Sequence, residues 1–293
     1  MIIPLFLSHT HLYDILKTIR NYIMRNTRLQ LLIIILLLLF SYPLLNGQTK
    51  IVNNAFNAGE NLTYDLYYKY GILNMRGGKA TLNTESTTYN DKNAYKLTLH
   101  ATTRGIIGNI YNVDDTLTSY MDKDLVPLLF VKGATEMKDY TRERQIYKYQ
   151  NGNTSIRTIR YRNGELSFDE NITTKRCTYD MMSILAFART LDYSKMQRGD
   201  NTQVQFITGK RLVNMYIRYL GRSSMKVNNG ETYDALELSL MILDKAFVDQ
   251  EEAMRVWITD DENKLPLQIN TQLKIGSMRA VLKDFSGNKH PLN

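Results

Sequence analysis

The residue best suited to covalent chemistry in this sequence is its single cysteine, Cys177, in the stretch RCTYDMMSILAFARTL (176–191). A nucleophilic thiol usually needs a histidine base, and a place just before a helix lowers a thiol pKa. After residue 47, the only histidines are His100 and His290. We expect His100 on the outer face of a strand and His290 in a frayed tail. Cys177 is therefore predicted to be a packing residue, with a reactive thiol as the alternative.

Residues that bind metal ions are scarce and dispersed. Structural zinc sites need four cysteine or histidine ligands, which the sequence after residue 47 does not supply. The acidic run DDEN (260–263) lacks the spacing and the glycine of a calcium loop, and so does Asp114–Asp115. Both are predicted to be solvated turns. We expect no metal and no cofactor.

Motifs of the common enzyme classes are also missing. The sequence contains no Gly-x-Ser-x-Gly, no phosphate-binding loop and no dinucleotide fingerprint. A hydrolase that uses a pair of carboxylates stays open, because any two carboxylates can meet in space. No catalytic residue is nominated, and a non-enzymatic role is expected.

The amino-terminal segment predicts export. Residues 31–40 read LLIIILLLLF, follow Arg25 and Arg28, and are shorter than the roughly 20 residues of a membrane span. We expect Met24 to be the true initiator and cleavage to follow Gly47, so that residues 1–47 are a targeting segment. No cysteine lies near the cleavage site, so no lipoprotein anchor is expected. We expect a periplasmic or outer-envelope location, with no integral membrane span after cleavage.

Composition limits the partners. The 293 residues carry a net charge of +8, of which the targeting segment supplies three, and 43% of them are hydrophobic. That fraction is enough for a globular core. A nucleic-acid surface would need a concentrated basic stripe, and the remaining charge is spread along the chain. We therefore expect no nucleic-acid partner.

Alternation of apolar and polar residues predicts strands along most of the chain. In residues 61–70, Leu62, Tyr64, Leu66, Tyr68 and Tyr70 share one face, as in a half-buried strand. Residues 61–85 are predicted to form a hairpin that turns at Gly77–Gly78. Asn-Gly pairs at 151–152, 163–164 and 229–230 are strong hairpin signals. More than a dozen strands follow from this pattern, without the alternating helices of a parallel sheet.

One segment, 178–191, has helical periodicity instead. Its predicted apolar face consists of Met181, Ile184, Leu185, Ala188 and Leu191. Thr178 is predicted to be the N-cap, and Asp180 complements the helix dipole in the first turn. The segment is expected to pack on the sheet.

Four stretches in order resemble a known family. They are FNAGENLTYDLYYKYGILNMRGGKATL (56–82), YNVDDTLTSYMDKDLVPLLF (111–130), the segment 176–200 and VWITDDENKLPLQINTQLKIGSMRAVL (256–282). Together they resemble the exported bacterial family catalogued as domain of unknown function 3108, in particular its Bacteroidetes-type members. The resemblance implies an exported, mainly antiparallel β protein of the cell envelope. It brings no established site residue.

The expected architecture is one all-β domain, residues 48–293. It consists of a large curved antiparallel sheet or open β-barrel, with one α-helix packed near 178–191. The expected function is non-enzymatic binding of an apolar or glycan-like ligand, or envelope maintenance with a protein partner. A hydrolase and a structural interaction module are the alternatives. Tyrosine and methionine side chains on the strands could either fill the barrel wall and core or line a ligand cavity. The filled arrangement is favoured over the cavity.

Overall fold

The computed structural model describes Lys17 and residues 51–292, except 106, 107, 109–111, 137, 243–251 and 273–275. The chain divides into two units, Met1–Asn46 and Gly47–Asn293, and every element below belongs to the second. The predicted targeting segment, its initiator Met24 and its cleavage after Gly47 lie outside the described residues. Among those that are described, no helix is long and apolar enough to cross a membrane.

The elements are almost all strands, as the alternating pattern predicts. The strands are β1 (Asn61–Tyr70), β2 (Leu73–Tyr89), β3 (Lys92–Thr103), β4 (Asp114–Met121), β5 (Pro127–Glu136), β6 (Asp139–Gln150), β7 (Asn153–Arg162), β8 (Glu165–Thr174), β9 (Thr178–Tyr179), β10 (Asn201–Thr208), β11 (Arg211–Lys226), β12 (Thr232–Ile242), β13 (Glu252–Thr259), β14 (Pro266–Gln272) and β15 (Ser277–Ser286). Between β9 and β10 lie helix α1 (Ser183–Thr190) and a short 3₁₀ helix (Tyr193–Lys195).

All fifteen strands form one sheet. Its order is β8-β7-β6-β5-β4-β3-β2-β1-β15-β14-β13-β12-β11-β10-β9. Sequence neighbours are therefore spatial neighbours, and β1 and β15 join the two halves in antiparallel pairing. Among the described strands, only β9 and β10 pair in parallel. A large, mainly antiparallel sheet with helix α1 packed on it confirms the predicted fold class.

Turn chemistry explains two of the hairpins. Asn151–Gly152 and Asn163–Gly164 both have positive φ angles, as two-residue hairpin turns require. They join β6 to β7 and β7 to β8, as predicted. The predicted turn at Gly77–Gly78 was wrong, because the chain turns at Gly71–Ile72 and both glycines lie within β2. A Cβ on Gly78 would lie 2.4 Å from the Thr102 carbonyl oxygen, so this glycine allows a close strand approach.

The core lies on the inner face of the sheet, defined here as the face that contacts α1. Met182 and Ala186 join a cluster built mainly on β1 to β5 and β15, while Ile184 and Ala188 join a second cluster on β10 to β13. The helix therefore lies inside the curved sheet and packs against both halves.

The two edges of the sheet overlap. Val204 of β10 packs into the second cluster, whereas Gln205, on the opposite face, accepts a hydrogen bond from the Thr174 hydroxyl at 2.8 Å. The Thr158 hydroxyl on β7 donates to the Gly209 carbonyl at 2.9 Å. A small apolar cluster completes the contact: Tyr147, Ile156 and Ile207, with Tyr149, Ile172 and Leu212. The sheet is thus a barrel closed by side chains, with the β7–β8 end overlapping the β10 end.

The helix is shorter than its sequence pattern predicts. Thr178 is not the N-cap, because it lies in β9 and its hydroxyl donates to the Gln205 side chain at 2.8 Å. Asp180 performs this role: its Oδ1 accepts from the backbone N–H groups of Met182 and Ser183 at 2.8 and 2.9 Å. Met181, predicted on the apolar face, is exposed. The helix starts later than predicted because residues 178–179 pair with β10 as a strand.

Truncation of the buried helix face is expected to destabilise the fold. Ile184 is buried in the second cluster, so Ile184→Ala should lower the free energy of unfolding by about 2–5 kcal/mol. Leu185 is only partly buried, so Leu185→Ala should cost less. Urea denaturation of both variants measures the difference. Equal losses would contradict the assigned orientation of α1.

Candidate ligand-binding site

One end of the barrel is closed by a buried ion pair. Arg189, near the end of α1, donates to both carboxylate oxygens of Glu60 at 2.6 and 2.7 Å, and the two side chains are 2% and 1% exposed. Arg189 also donates to the Asn263 carbonyl at 2.9 Å and lies over the Phe56 ring. Glu60 precedes β1, and Asn263 lies in the turn between β13 and β14. We call this the closed end.

The carboxy-terminal segment adds to this closure. His290, expected in a frayed tail, is half-buried, and its N–H donates to the Asn263 side chain at 2.8 Å. Its ring also lies 2.6 Å from the Asn54 carbonyl oxygen. The DDEN run was predicted to be a solvated turn, but Asn263 is fully buried there because the tail covers it. The expectation for His100 holds: its ring is exposed and pairs with Asp114 at 3.2 Å.

A polar group lies in the interior beside the helix start. Asp180 is fully buried, and its Oδ2 accepts from the Ser119 hydroxyl of β4 at 2.9 Å. Burial raises the pKa of this carboxyl, and its hydrogen bonds oppose that shift only in part. Asp180 thus connects the helix start to the opposite half of the sheet without a cationic partner among the residues the structure describes.

Asp180 makes the stability of the protein depend on pH. Because its folded pKa is raised, the folded state binds more protons than the unfolded state between the two pKa values. The stabilisation by neutral Asp180 is therefore lost as the pH rises through the folded pKa. Asp180→Asn cannot titrate, so its unfolding free energy should improve relative to the parent protein as the pH rises above about 4, the pKa of an unfolded aspartate. Denaturant titrations across this range that show a constant or falling difference would contradict this assignment.

Cys177 has the surroundings of a packing residue. It is partly buried against the second cluster, and burial raises the pKa of its thiol. No histidine is within hydrogen-bonding distance of it among the described residues. A raised pKa disfavours the thiolate that nucleophilic chemistry requires. The structure therefore gives the reactive-thiol alternative no support.

The other interior carboxylates have separate partners. Glu143 on β6 pairs with Arg160 on β7 and accepts from the Gln145 amide at 2.8 Å. Glu60 pairs with Arg189, and Asp180 with Ser119. Within the described part of the chain, no two of these carboxylates share a hydrogen bond, and no group of three potential metal ligands occurs. The interior chemistry is that of stabilising contacts.

The opposite end of the barrel is apolar and partly open. On β12, Leu236 and Leu238 are each 1% exposed, whereas Leu240 and Ile242, further along the same face, are only half-buried. On β3, β13, β14 and β15 too, apolar residues of the inner face are buried near the closed end and half-buried near the opposite end. We call the half-buried residues the apolar mouth: Leu99, Ala101, Leu240, Ile242, Met254, Ile269, Met278 and Ala280.

The turn at this end carries exposed apolar and basic side chains. Tyr70 is 57% exposed and Ile72 fully exposed, in the turn between β1 and β2. Arg104, which directly follows β3, is exposed as well. The rim of the apolar mouth therefore combines apolar groups with positive charge.

Sequence reasoning located only part of this site. The sequence favours tyrosine and methionine side chains that fill the wall over side chains that line a ligand cavity. In the structure, Tyr64 and Tyr68 are buried in the wall, and Met254 and Met278 lie in the mouth. The partnership of Glu60 with Arg189 was missed, since 129 residues separate them, although both lie in stretches that carry the family resemblance.

The comparisons with known proteins bear on fold and family. The structure resembles a β-barrel-like protein of domain of unknown function DUF1849 from Brucella abortus, with a TM-score of 0.56 and 13% identity over 79% of this chain and 98% of that chain. Proteins from Bacteroides fragilis, with a YmcC-like fold, and from Parabacteroides distasonis match at 8% and 9% identity over 80% and 82% of this chain, and 99% and 100% of theirs. Their TM-scores, 0.32 and 0.33, are too low to indicate a shared fold.

Sequence comparison identifies the family but no function. No curated protein matches the chain. The model of one family, described as "Protein of unknown function (DUF3108)", matches residues 63–283, which is more than half of the chain. The β-rich architecture and this match agree with the resemblance carried by the four sequence stretches. The chain belongs to the DUF3108 family.

Proposed function

We propose that this protein binds the acyl chain of a single-chain anionic amphiphile in the apolar mouth, without catalysing a reaction. The observation that carries the proposal is the change in burial along the inner face of five strands. Inner-face apolar side chains that are buried in the middle of the barrel become half-buried towards the end away from Arg189. Apolar side chains that stay partly exposed at the end of a barrel are typical of ligand sites.

The chemistry of the rim supports the choice of amphiphile. An acyl chain would cover the apolar mouth, and the exposed Arg104 would face an anionic head group outside it. Ile72 and Tyr70 extend the apolar surface at the entrance. Each buried methylene contributes about 0.8 kcal/mol, so that the chain supplies the affinity and the head group its orientation.

A displacement assay tests the proposal. The fluorescence of N-phenyl-1-naphthylamine should rise saturably when it binds the purified protein, and dodecanoate should displace it in a 1:1 ratio. Bovine serum albumin serves as the positive control. A probe signal that does not saturate, or that dodecanoate leaves unchanged, would contradict the proposal.

Two alternatives have less support. The hydrolase needs two converging carboxylates, and the interior carboxylates described above have separate partners. The structural module needs an exposed edge or a flat apolar patch. The edge strand β8 is exposed, with Leu166 at 57%, but it also carries Glu165, Asp169 and Glu170. Charged edge strands resist pairing with other chains.

We also infer that the protein acts outside the cytoplasm, after cleavage following Gly47. The support is the order of basic, apolar and small residues in 24–47. Amino-terminal sequencing of the protein from the producing cells should begin at Gln48. A sequence that begins at Met1 or Met24 would overturn cleavage.

A further inference from the structure

A row of polar side chains crosses the outer face of the sheet, away from α1 and from the apolar mouth. Strand pairing aligns seven residues side by side: Arg76, Tyr67, Arg279, Asn270, Arg255, Ser239 and Arg218. Arginine occupies every second strand. Since neighbouring strands lie about 4.8 Å apart, successive arginines are about 10 Å apart.

The centre of this row is concave. Two adjoining depressions of about 260 and 300 Å³ lie on it, and both are lined by Asn270 and Gln272. On the side of the closed end, the turn between β11 and β12 lies against the sheet. Asn228 of this turn donates to the Asp65 carboxylate at 2.8 Å and to the Tyr67 hydroxyl at 2.9 Å.

The larger depression is basic. Lys69, Arg279, Tyr67 and Asn74 line it, with no acidic side chain among its lining residues. Arg279 lies 4.8 Å from the centre of the Tyr67 ring. Among the described residues, neither Lys69 nor Arg279 has an ion-pair partner. The depression therefore presents two cations beside an aromatic ring and an amide, a combination that complements a carboxylate on a polar ligand.

The smaller depression is charge-balanced. Arg255 pairs with Glu252 at 2.7 Å and with Glu237 at 3.2 Å, and Trp257 and the shared amides complete the lining. Carboxylate, guanidinium and amide groups offer both donors and acceptors there, as hydroxyl groups require. The half-buried Trp257 adds an apolar ring with a polar N–H.

We propose that this outer groove binds an acidic glycan, with a carboxylate-bearing sugar in the basic depression and a neighbouring sugar in the balanced one. Lys69 and Arg279 bind the carboxylate. Asn270 and Gln272, which both depressions share, donate to hydroxyl groups at the junction of the two sugars. The site opens on the outer face of the sheet and the apolar mouth on the inner face, although Met254 and Met278 of the mouth also line the two depressions.

The observations favour a glycan over other anionic partners. A nucleic-acid surface would need unpaired basic residues along its length, but Arg76 and Arg255 are already paired with Asp65 and with Glu252 and Glu237. A lipid surface would need exposed apolar side chains that insert between lipids, and the lining of the groove is mainly polar. Alternating amides and cations beside aromatic rings suit a polyhydroxylated acid.

Calorimetric titration with trigalacturonate tests the proposal. We expect saturable binding that weakens with added salt and a loss of at least tenfold in affinity for Arg279→Gln. The fully methyl-esterified trisaccharide should bind at least tenfold more weakly than the acid. Arg157→Gln, which changes an exposed arginine on β7 that is paired with Asp169, is the matched control and should bind like the parent protein.

Several outcomes would overturn the proposal. They are no saturable binding of trigalacturonate, equal affinity of Arg279→Gln and the parent protein, or tighter binding of a DNA oligonucleotide or of anionic phospholipid vesicles that is lost in the same variant. Circular dichroism establishes that Arg279→Gln is folded. Ala101→Trp, on the inner face, should leave trigalacturonate binding unchanged, so that this proposal and the amphiphile proposal succeed or fail separately.

Discussion

Replacement of Arg189 by methionine should lower the free energy of unfolding by about 3–5 kcal/mol, because it leaves the Glu60 carboxylate buried without a cation. The same change removes the hydrogen bond that Arg189 of α1 donates to the Asn263 carbonyl, in the turn between β13 and β14. The side chains of Arg189 and methionine are both long and unbranched, so packing against Phe56 is largely kept. Denaturation in urea, followed by the fluorescence of the single tryptophan, Trp257, measures the effect.

Two further variants isolate the unpaired charge as the cause. The double variant Glu60→Leu/Arg189→Met removes both charges and should regain much of the lost stability, since a buried ion pair is often replaceable by apolar residues. Arg157→Met breaks the exposed pair with Asp169 and should cost less than about 1 kcal/mol. A double variant as unstable as Arg189→Met would show that the ion pair is not the origin of the loss.

Ala101→Trp should abolish binding of an amphiphile, at least a tenfold loss in affinity, because the indole fills the apolar mouth. Ala101 lies on the inner face of β3, where it pairs with the buried Ala80 and is itself half-buried. His100→Trp is the matched control, because it adds the same ring one residue away, on the exposed outer face. Displacement titrations with dodecanoate compare the three proteins.

The stability of both tryptophan variants must be measured beside their affinities. An Ala101→Trp protein that unfolds like the parent protein and binds dodecanoate with unchanged affinity would place the ligand elsewhere. Loss of binding in His100→Trp would indicate that the outer face of β3 takes part.

Local patterns predict most of the strands but not their packing partners. The alternation in residues 61–70 assigned Leu62, Tyr64, Leu66 and Tyr68 to the buried face, as observed, although Asp65 on the opposite face is buried too, beneath Asn228. The prediction that Tyr70 shares this buried face was wrong, because Tyr70 lies beyond the core and is exposed. The Asn-Gly turns at 151–152 and 163–164 were predictable because positive φ angles at both positions favour those residues.

Contacts between distant segments explain what sequence reasoning missed. Gly77–Gly78 has the composition of a turn, but pairing of β2 with β3 keeps both glycines within a strand. Thr178 has the chemistry of a cap, but Gln205, 27 residues later, binds its hydroxyl. The apolar mouth could not be predicted from periodicity, since Leu238 and Leu240 share one face of β12 and differ only in their distance from the closed end.

The dependence of affinity on chain length tests the amphiphile proposal most directly. Dissociation constants for the saturated fatty acids from hexanoate to tetradecanoate would be measured by displacement at constant pH and salt. If the chain enters the apolar mouth, each added methylene should tighten binding about fourfold, the equivalent of about 0.8 kcal/mol, until the mouth is filled. The series should be flat for Ala101→Trp and unchanged for His100→Trp. An affinity that does not depend on chain length in the parent protein would contradict the account.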